Sequence, residues 1–226
     1  PDSKTGTTID IDPKLLSRIQ TKTLFTSIGC NPHKEIPEGN IEKFRNFLDE
    51  VNKNENIKIA LRNDGSVESI KRDIGEKYLE SIEEILDNGF FYQDDTVYPK
   101  IIDRKYVAIN ITNDQIHMQS KLRGTIYKKA YLEELKKIVE YCINTMRYDI
   151  VFVSHIYSDI KAISELLEIV DDSLIRNHVT VAPCIQGDEG AKYIFSIYKN
   201  SEWVIGTRFH ANVCSVAMDK KTIGLV

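Results

Sequence analysis

Arg208 and His210 stand two residues apart in Trp203-Val204-Ile205-Gly206-Thr207-Arg208-Phe209-His210-Ala211, where an apolar strand-like run meets a Gly-Thr turn and then a helical pattern. A fixed cation, a titratable imidazole and the N–H groups of a helix's first turn converge there, a combination suited to phosphate or carboxylate. Alternation past the strand predicts both side chains on one side. Other polar groups follow apolar runs in the same way. Arg62-Asn63-Asp64-Gly65-Ser66 comes after Ile57 to Leu61 and offers a second arginine, with Asp64 and Ser66 readable either as ligands or as helix caps. Ser154, His155 and Asp159 come after Ile150 to Val153 and suggest a polar pocket. Glu189 opens a helical pattern after Gln186-Gly187-Asp188, where an acid complements the helix dipole or meets a substrate. The long stretch from Asn110 to Tyr127 carries His117, Lys121 and Arg123, as a solvated loop or as a lid over a cleft. No His/Cys/Asp/Glu cluster has metal-ligand spacing, and neither a Walker A sequence nor a three-glycine dinucleotide pattern occurs. No metal is therefore implied, and an ordinary NAD or ATP enzyme is not expected.

The elements that must hold these residues read as strands alternating with helices, the pattern of a parallel sheet covered on its faces. Expected strands are Thr23 to Ile28, Ile57 to Leu61, Tyr106 to Thr112, Ile150 to Ser154, Val179 to Ala182, Trp203 to Ile205 and Thr222 to Val226. Expected helices are Ile41 to Lys53, Ser66 to Ile74, Tyr78 to Leu86, Tyr127 to Met146, Asp159 to Val170, Glu189 to Tyr198 and His210 to Met218. The stretch from Gln93 to Arg104 is polar, aperiodic and carries Pro99, which sets a boundary between an N-terminal α/β domain over 1–100 and a Rossmann-like domain over 105–226. Open sheets of this type bind ligands beyond the carboxyl ends of their strands, so Arg62, His155, Arg208 and His210 are expected to line one cleft between the two domains.

With 226 residues, 42% of them hydrophobic, and a formal charge of −4, the chain has material for real cores and no basic surface for nucleic acid. Cys30, Cys142, Cys184 and Cys214 lack paired spacing and read as reduced thiols, no apolar run reaches the roughly 18 residues of a membrane span, and no export signal opens the chain. A cytoplasmic location is the expectation. The start at Pro1 and the stop on an apolar strand pattern suggest the ordered part of something longer.

Gly206-Thr207-Arg208-Phe209-His210-Ala211 resembles the Gly-x-Arg-x-His-Ala element of the polysaccharide pyruvyl transferase family. Arg62-Asn63-Asp64-Gly65-Ser66 is similar to that family's Arg-Asp-x-x-Ser element, with Asn63 in place of the acid, and Ser154-His155 with Asp159 is similar to its strand-end His and Asp loop. The resemblance covers about Thr23 to Val226. It implies two Rossmann-like domains in the manner of B-type glycosyltransferases, the N-terminal one incomplete in this chain. It also implies transfer of a pyruvyl group from phosphoenolpyruvate to two hydroxyls of a sugar of a cell-surface polysaccharide or exopolysaccharide, forming a cyclic ketal. In that chemistry Arg62 and Arg208 would grip the donor with His155 and Ser154, and His210 would be the general acid. Asp64, Ser66, Asp159, Glu189, Lys121 and Arg123 would be further substrate contacts. The partners would be phosphoenolpyruvate as substrate, with no separate cofactor, and a saccharide acceptor, free or lipid-linked. The rival readings are a nucleotide-sugar-dependent glycosyltransferase or epimerase of the same fold, and a non-catalytic saccharide- or anion-binding domain.

Overall fold

The computed structural model describes residues 4–8, 10–30, 39–114 and 125–225. The chain divides into two compact units, residues 1–88 and 89–226. Each has its own parallel sheet.

In the first unit the strands β1 (Thr23–Ile28), β2 (Ile57–Arg62) and β3 (Ile82–Ile85) lie side by side in that order, all parallel. Helix α1 (Pro13–Leu16) starts at Asp12, whose side chain accepts from the Lys14 N–H. Helix α2 (Asn40–Asn52) turns Phe47, Leu48 and Val51 onto Ile57, Ile59 and Leu61 of β2, and Phe47 meets Phe25 edge to face at 5.8 Å. The helix expected over Ser66 to Ile74 is a short α-helical turn, α3 (Ser66–Ser69), continued by a wider π turn to Ile74. The expected helix Tyr78 to Leu86 does not form. Residues 76–81 make a 3-10 turn and residues 82–85 become β3. Ile82, Ile85 and Leu86 fit helical spacing, but a sheet edge beside β2 offers backbone partners to the same residues, and Glu83 and Glu84 stay exposed there.

In the second unit β4 (Tyr106–Asn110), β5 (Asp149–Phe152), β6 (Val179–Val181), β7 (Trp203–Gly206) and β8 (Lys221–Gly224) form a parallel sheet in the order β6-β5-β4-β7-β8. All residues of β4 and β5 are buried, as a sheet covered on both faces requires. Helices α4 (Thr125–Asn144) and α5 (Tyr157–Leu167) cover the face of Val107, Ile109, Ile150 and Phe152. Helix α6 (Asp172–His178), which the sequence reading passed over, leads into β6. On the other face α7 (Gly187–Asn200) and α8 (Phe209–Ala217) pack Ile194, Ile197, Tyr198 and Ala211 on Tyr106, Ala108, Val151 and Val204. This is a Rossmann-like arrangement.

Residues 89–100, assigned by sequence to the first domain, pack with the second unit. Tyr92 meets Phe195 at a tilt with ring centres 4.7 Å apart, Tyr98 meets Tyr193 edge-on at 6.0 Å, and the Asp94 carbonyl accepts from Lys199 Nζ at 2.8 Å. The dividing point therefore falls at residues 88 and 89, before the aperiodic stretch rather than at its far end.

Candidate functional site

Strand order reverses between β4 and β7, since the chain runs outward through β5 and β6 on one side and through β8 on the other. Crevices for ligands in open α/β sheets open at such switch points, beyond the carboxyl ends of the strands. Here the two strand ends are tied together by one fully buried side chain, Asn110. Its amide donates to the Val153 carbonyl at 2.9 Å, its Oδ1 accepts from the Arg208 N–H at 3.0 Å, and its carbonyl accepts from the Thr207 N–H at 3.1 Å. All three strand ends are thereby held in one register.

The turn from β7 into α8 is fixed from the helix side by Asn212, one turn into α8, whose Nδ2 donates to the carbonyls of Gly206 and Arg208, both at 3.1 Å. A β-carbon on Gly206 would meet Asn212 Oδ1 at 2.8 Å and Ala211 Cβ at 3.0 Å, so only glycine lets the helix come so close. Arg208 is the N-cap, with φ −83° and ψ 140°, and its own side chain makes no capping hydrogen bond. The first turn of the helix carries the positive end of its dipole.

Arg208 is anchored on Asp159, which is fully buried at the first turn of α5. Arg208 Nε donates to Oδ2 at 2.9 Å and Nη2 to Oδ1 at 2.6 Å, while the carboxylate also accepts the N–H groups of His155 at 3.0 Å and Ile156 at 3.3 Å. Arg208 Nη2 also reaches Asp114 at 3.2 Å. Burial alone would disfavour the guanidinium's charge, but the hydrogen bonds and charges of Asp159 and Asp114 outweigh it, so its pKa is raised. Asp159, expected as a substrate contact, has no exposed surface and instead orients Arg208 and the His155 backbone. The Nε–Nη2 edge of Arg208 is occupied by Asp159, which leaves Nη1 without a hydrogen bond among the described residues.

His210 lies on the exposed side of the first turn of α8, with its ring edge-on to Phe209 at 5.6 Å. The alternation argument stops at Arg208, because Phe209 already begins the helix; Arg208 is half-buried and His210 is exposed. His155 belongs to the same edge of the sheet. Its Nε2 is 2.7 Å from the hydroxyl of Tyr198, a residue without exposed surface. Burial, and then the charge of Arg208, lower its pKa to about 4, so it stays neutral at ordinary pH. Ser154 is buried and its Oγ has no partner among the described residues. Glu189 is exposed, pairs with Lys192 at 2.8 Å and accepts from the Tyr98 hydroxyl at 3.3 Å, a solvated helix start. The candidates His117, Lys121 and Arg123 lie outside the described residues.

In the first unit Arg62 lies across Gly29 at the end of β1, where a β-carbon would strike its guanidinium. Its Nε donates to Asp64 and its Nη1 is 3.3 Å from Asp87, a buried acid just past β3. Ser66, also buried, donates to Asp64 and accepts the Cys30 N–H at 2.7 Å. Asp64 and Ser66 were readable as helix caps or as substrate contacts. Here they serve as supports, since one is bonded to Arg62 and the other ties the chain after β1 to the start of α3. Two carboxylates flank Arg62, so its charge is largely matched within the unit.

Volume is not the guide to the chemistry. A pocket of about 530 Å³ against α4 and the β7–β8 edge is lined mainly by apolar groups such as Ile138, Tyr141, Trp203, Ile223 and Leu225. A smaller one, of about 190 Å³, adjoins His155 at the start of α7. Among the described residues no helix is long and apolar enough to cross a membrane.

Asn110, Asn212, Asp87 and Tyr198 escaped the sequence reading. Asn110 carried a signal, a lone amide closing the apolar run Tyr106-Val107-Ala108-Ile109. No curated protein matches the chain significantly. The family model for polysaccharide pyruvyl transferase matches residues 13–226. An oriented arginine and an exposed histidine thus stand together at the switch point of a Rossmann-like unit, and the chain belongs to the polysaccharide pyruvyl transferase family.

Proposed function

We propose that the protein moves a pyruvyl group from phosphoenolpyruvate to two hydroxyls of one sugar of a cell-surface polysaccharide, leaving a cyclic pyruvate ketal and inorganic phosphate. The observation that supports this most directly is the Asp159–Arg208 pair at the start of α8, with His210 in the same turn. Phosphoenolpyruvate carries a phosphate and a carboxylate; the helix N–H groups and the open Nη1 of Arg208 suit such an anion.

In this reading His210 gives a proton to the methylene carbon as the first hydroxyl adds to the neighbouring carbon, and that hydroxyl's proton restores the balance. The second hydroxyl then displaces phosphate, and its proton leaves with the phosphate. Arg208 and the helix start stabilise the charge that grows on the departing group, held in place beforehand by Asp159 and Asn212. In the first unit Arg62, held by Asp64 and Asp87, would supply the second cation for the donor.

The test is incubation of the full-length protein with phosphoenolpyruvate and a panel of free and lipid-linked saccharides. Phosphate release matched by acid-labile, sugar-bound pyruvate is expected. Turnover of a nucleotide sugar with phosphoenolpyruvate left intact would replace this reading with that of a glycosyltransferase.

A further inference from the structure

His155 does more than pack. Its Nε2 meets Tyr198, whose hydroxyl is wholly buried and has no other hydrogen-bond partner among the described residues. If Nε2 carried the proton, the Tyr198 hydroxyl would accept it and leave its own hydrogen buried without an acceptor, which costs about 1–3 kcal/mol. Tyr198 therefore donates to Nε2. Burial also raises the phenol's pKa well above its ordinary value, so that proton stays. A neutral imidazole that accepts on Nε2 carries its hydrogen on Nδ1. Nδ1 has no partner among the described residues, and His155 lines the pocket of about 190 Å³ at the start of α7. His155, a neutral residue with its N–H on Nδ1, is thus part of the pocket's wall.

The rest of its wall is formed by Ile185, Gln186, Ala191 and Phe195. Phe195 stands edge-on to His155 at 6.2 Å, and Gln186 Nε2 donates to the His155 carbonyl at 3.1 Å, which leaves its amide oxygen as an acceptor. Gly190 is buried under the Ile185 carbonyl, where any β-carbon would collide, so the wall is pressed against α7 by design of the sequence. The volume equals about six waters at roughly 30 Å³ each, the scale of one sugar ring and too small for a nucleotide. The helix turn beside it carries Asp188 and Glu189, which disfavour a second anion. His155 is linked through its N–H to the carboxylate that holds Arg208, so the pocket adjoins the anion site.

We propose that this pocket is the acceptor subsite, taking a neutral hexopyranose ring with one oxygen on His155 Nδ1–H, a hydroxyl on Gln186, and its apolar face on Phe195. This rests on the pyruvyl-transfer reading for which ring is bound, and its test does not use turnover. Saturation-transfer NMR with the methyl glycosides of glucose, galactose and mannose, at millimolar concentration, reads ring contact directly. At least one is expected to give ring-proton signals with the wild-type protein. Ala191→Leu fills the pocket from an exposed helix position where leucine is a good helix former, and is expected to weaken that signal by about tenfold or more. The double variant His155→Phe/Tyr198→Phe removes donor and acceptor together, leaves no buried orphan, and is expected to weaken it likewise. An undiminished signal in Ala191→Leu, or no signal from any of the three glycosides, overturns the subsite. Failure to consume phosphoenolpyruvate would sink the proposed function while leaving the glycoside result standing.

Discussion

Asp159→Asn tests whether the buried carboxylate is what holds the site. Asp159 has no exposed surface and accepts four hydrogen bonds, two from Arg208 and two from the backbone of residues 155 and 156. An asparagine in its place has one oxygen and one NH₂ group, and in either orientation the NH₂ confronts N–H donors. Removing one partner of a buried ion pair costs about 3–5 kcal/mol. Arg208 keeps 19% of its side chain exposed and retains Asp114 at 3.2 Å, so the low end, about 3 kcal/mol, applies. At about 2–4 °C per kcal/mol for a chain of this length, the melting temperature should fall by about 6–12 °C. Calorimetry and urea titration at pH 7 read it, with the urea midpoint falling and the slope unchanged. Asp114→Asn is the comparison. That side chain is 51% exposed, and its loss should cost under about 1 kcal/mol. If the two variants melt together within about 2 °C, Asp159 is not the anchor and the orientation of Arg208 must come from elsewhere.

Other outcomes follow from the same geometry. His210→Gln should lower turnover about a hundredfold or more while phosphoenolpyruvate affinity stays near wild type; a wild-type rate would remove the imidazole as the acid. Arg208→Lys cannot keep both bonds to Asp159 and still present an N–H outward, so donor affinity should fall by about tenfold or more in a calorimetric titration; an unchanged Kd would take Arg208 out of the donor site. His155, neutral in the fold with a pKa of about 4, charges near 6.5 once unfolded. The unfolded chain therefore binds the extra proton between those values, and stability present above pH 6.5 is lost as pH falls toward 4. About 2–3 kcal/mol should disappear over that window in urea titrations, and the His155→Phe/Tyr198→Phe protein should lose that part of the slope. Gly190→Ala should cost about 1–3 kcal/mol by forcing the Ile185 carbonyl off α7, and a neutral result in the same titrations would show that the wall is not rigid.

What could be read before any fold was known was whatever is decided within a few residues. The Val- and Ile-rich runs of β4, β5 and β7 read as buried strands because a fully covered sheet needs nothing else of them. The turn Gly206-Thr207-Arg208 read as a helix start for the same local reason. β3 did not, since Ile82, Ile85 and Leu86 follow helical spacing and only the presence of β2 beside them decides. Asp87 escaped with it. Asn110 and Arg208 are 98 positions apart, Arg208 and Asp159 are 49, and His155 and Tyr198 are 43. No spacing rule joins such pairs, so the strand ends that carry His155 and Arg208 were legible and the side chains that orient them were not. The sequence offered Asp159 as part of a polar pocket with His155 and, through the resemblance, as a substrate contact; its burial under Arg208 is a tertiary fact.

That pairing bears on how the proposed chemistry would be driven. An arginine matched by a buried carboxylate attracts a resting dianion less than a free one would, because its charge is already partly answered. Held on two bonds, however, it needs no ordering when charge shifts toward the leaving phosphate, and the helix N–H groups fixed by Asn110 and Asn212 are likewise already aimed. Preorganised groups of this kind contribute most where charge develops and least in the ground state. Asp159 would then weaken donor binding and hasten phosphate departure through the same contact. The two effects separate in the kinetics of Asp159→Asn: kcat should fall by more than the donor's KM rises. A larger change in KM with kcat preserved would mean that the anchored arginine serves binding alone.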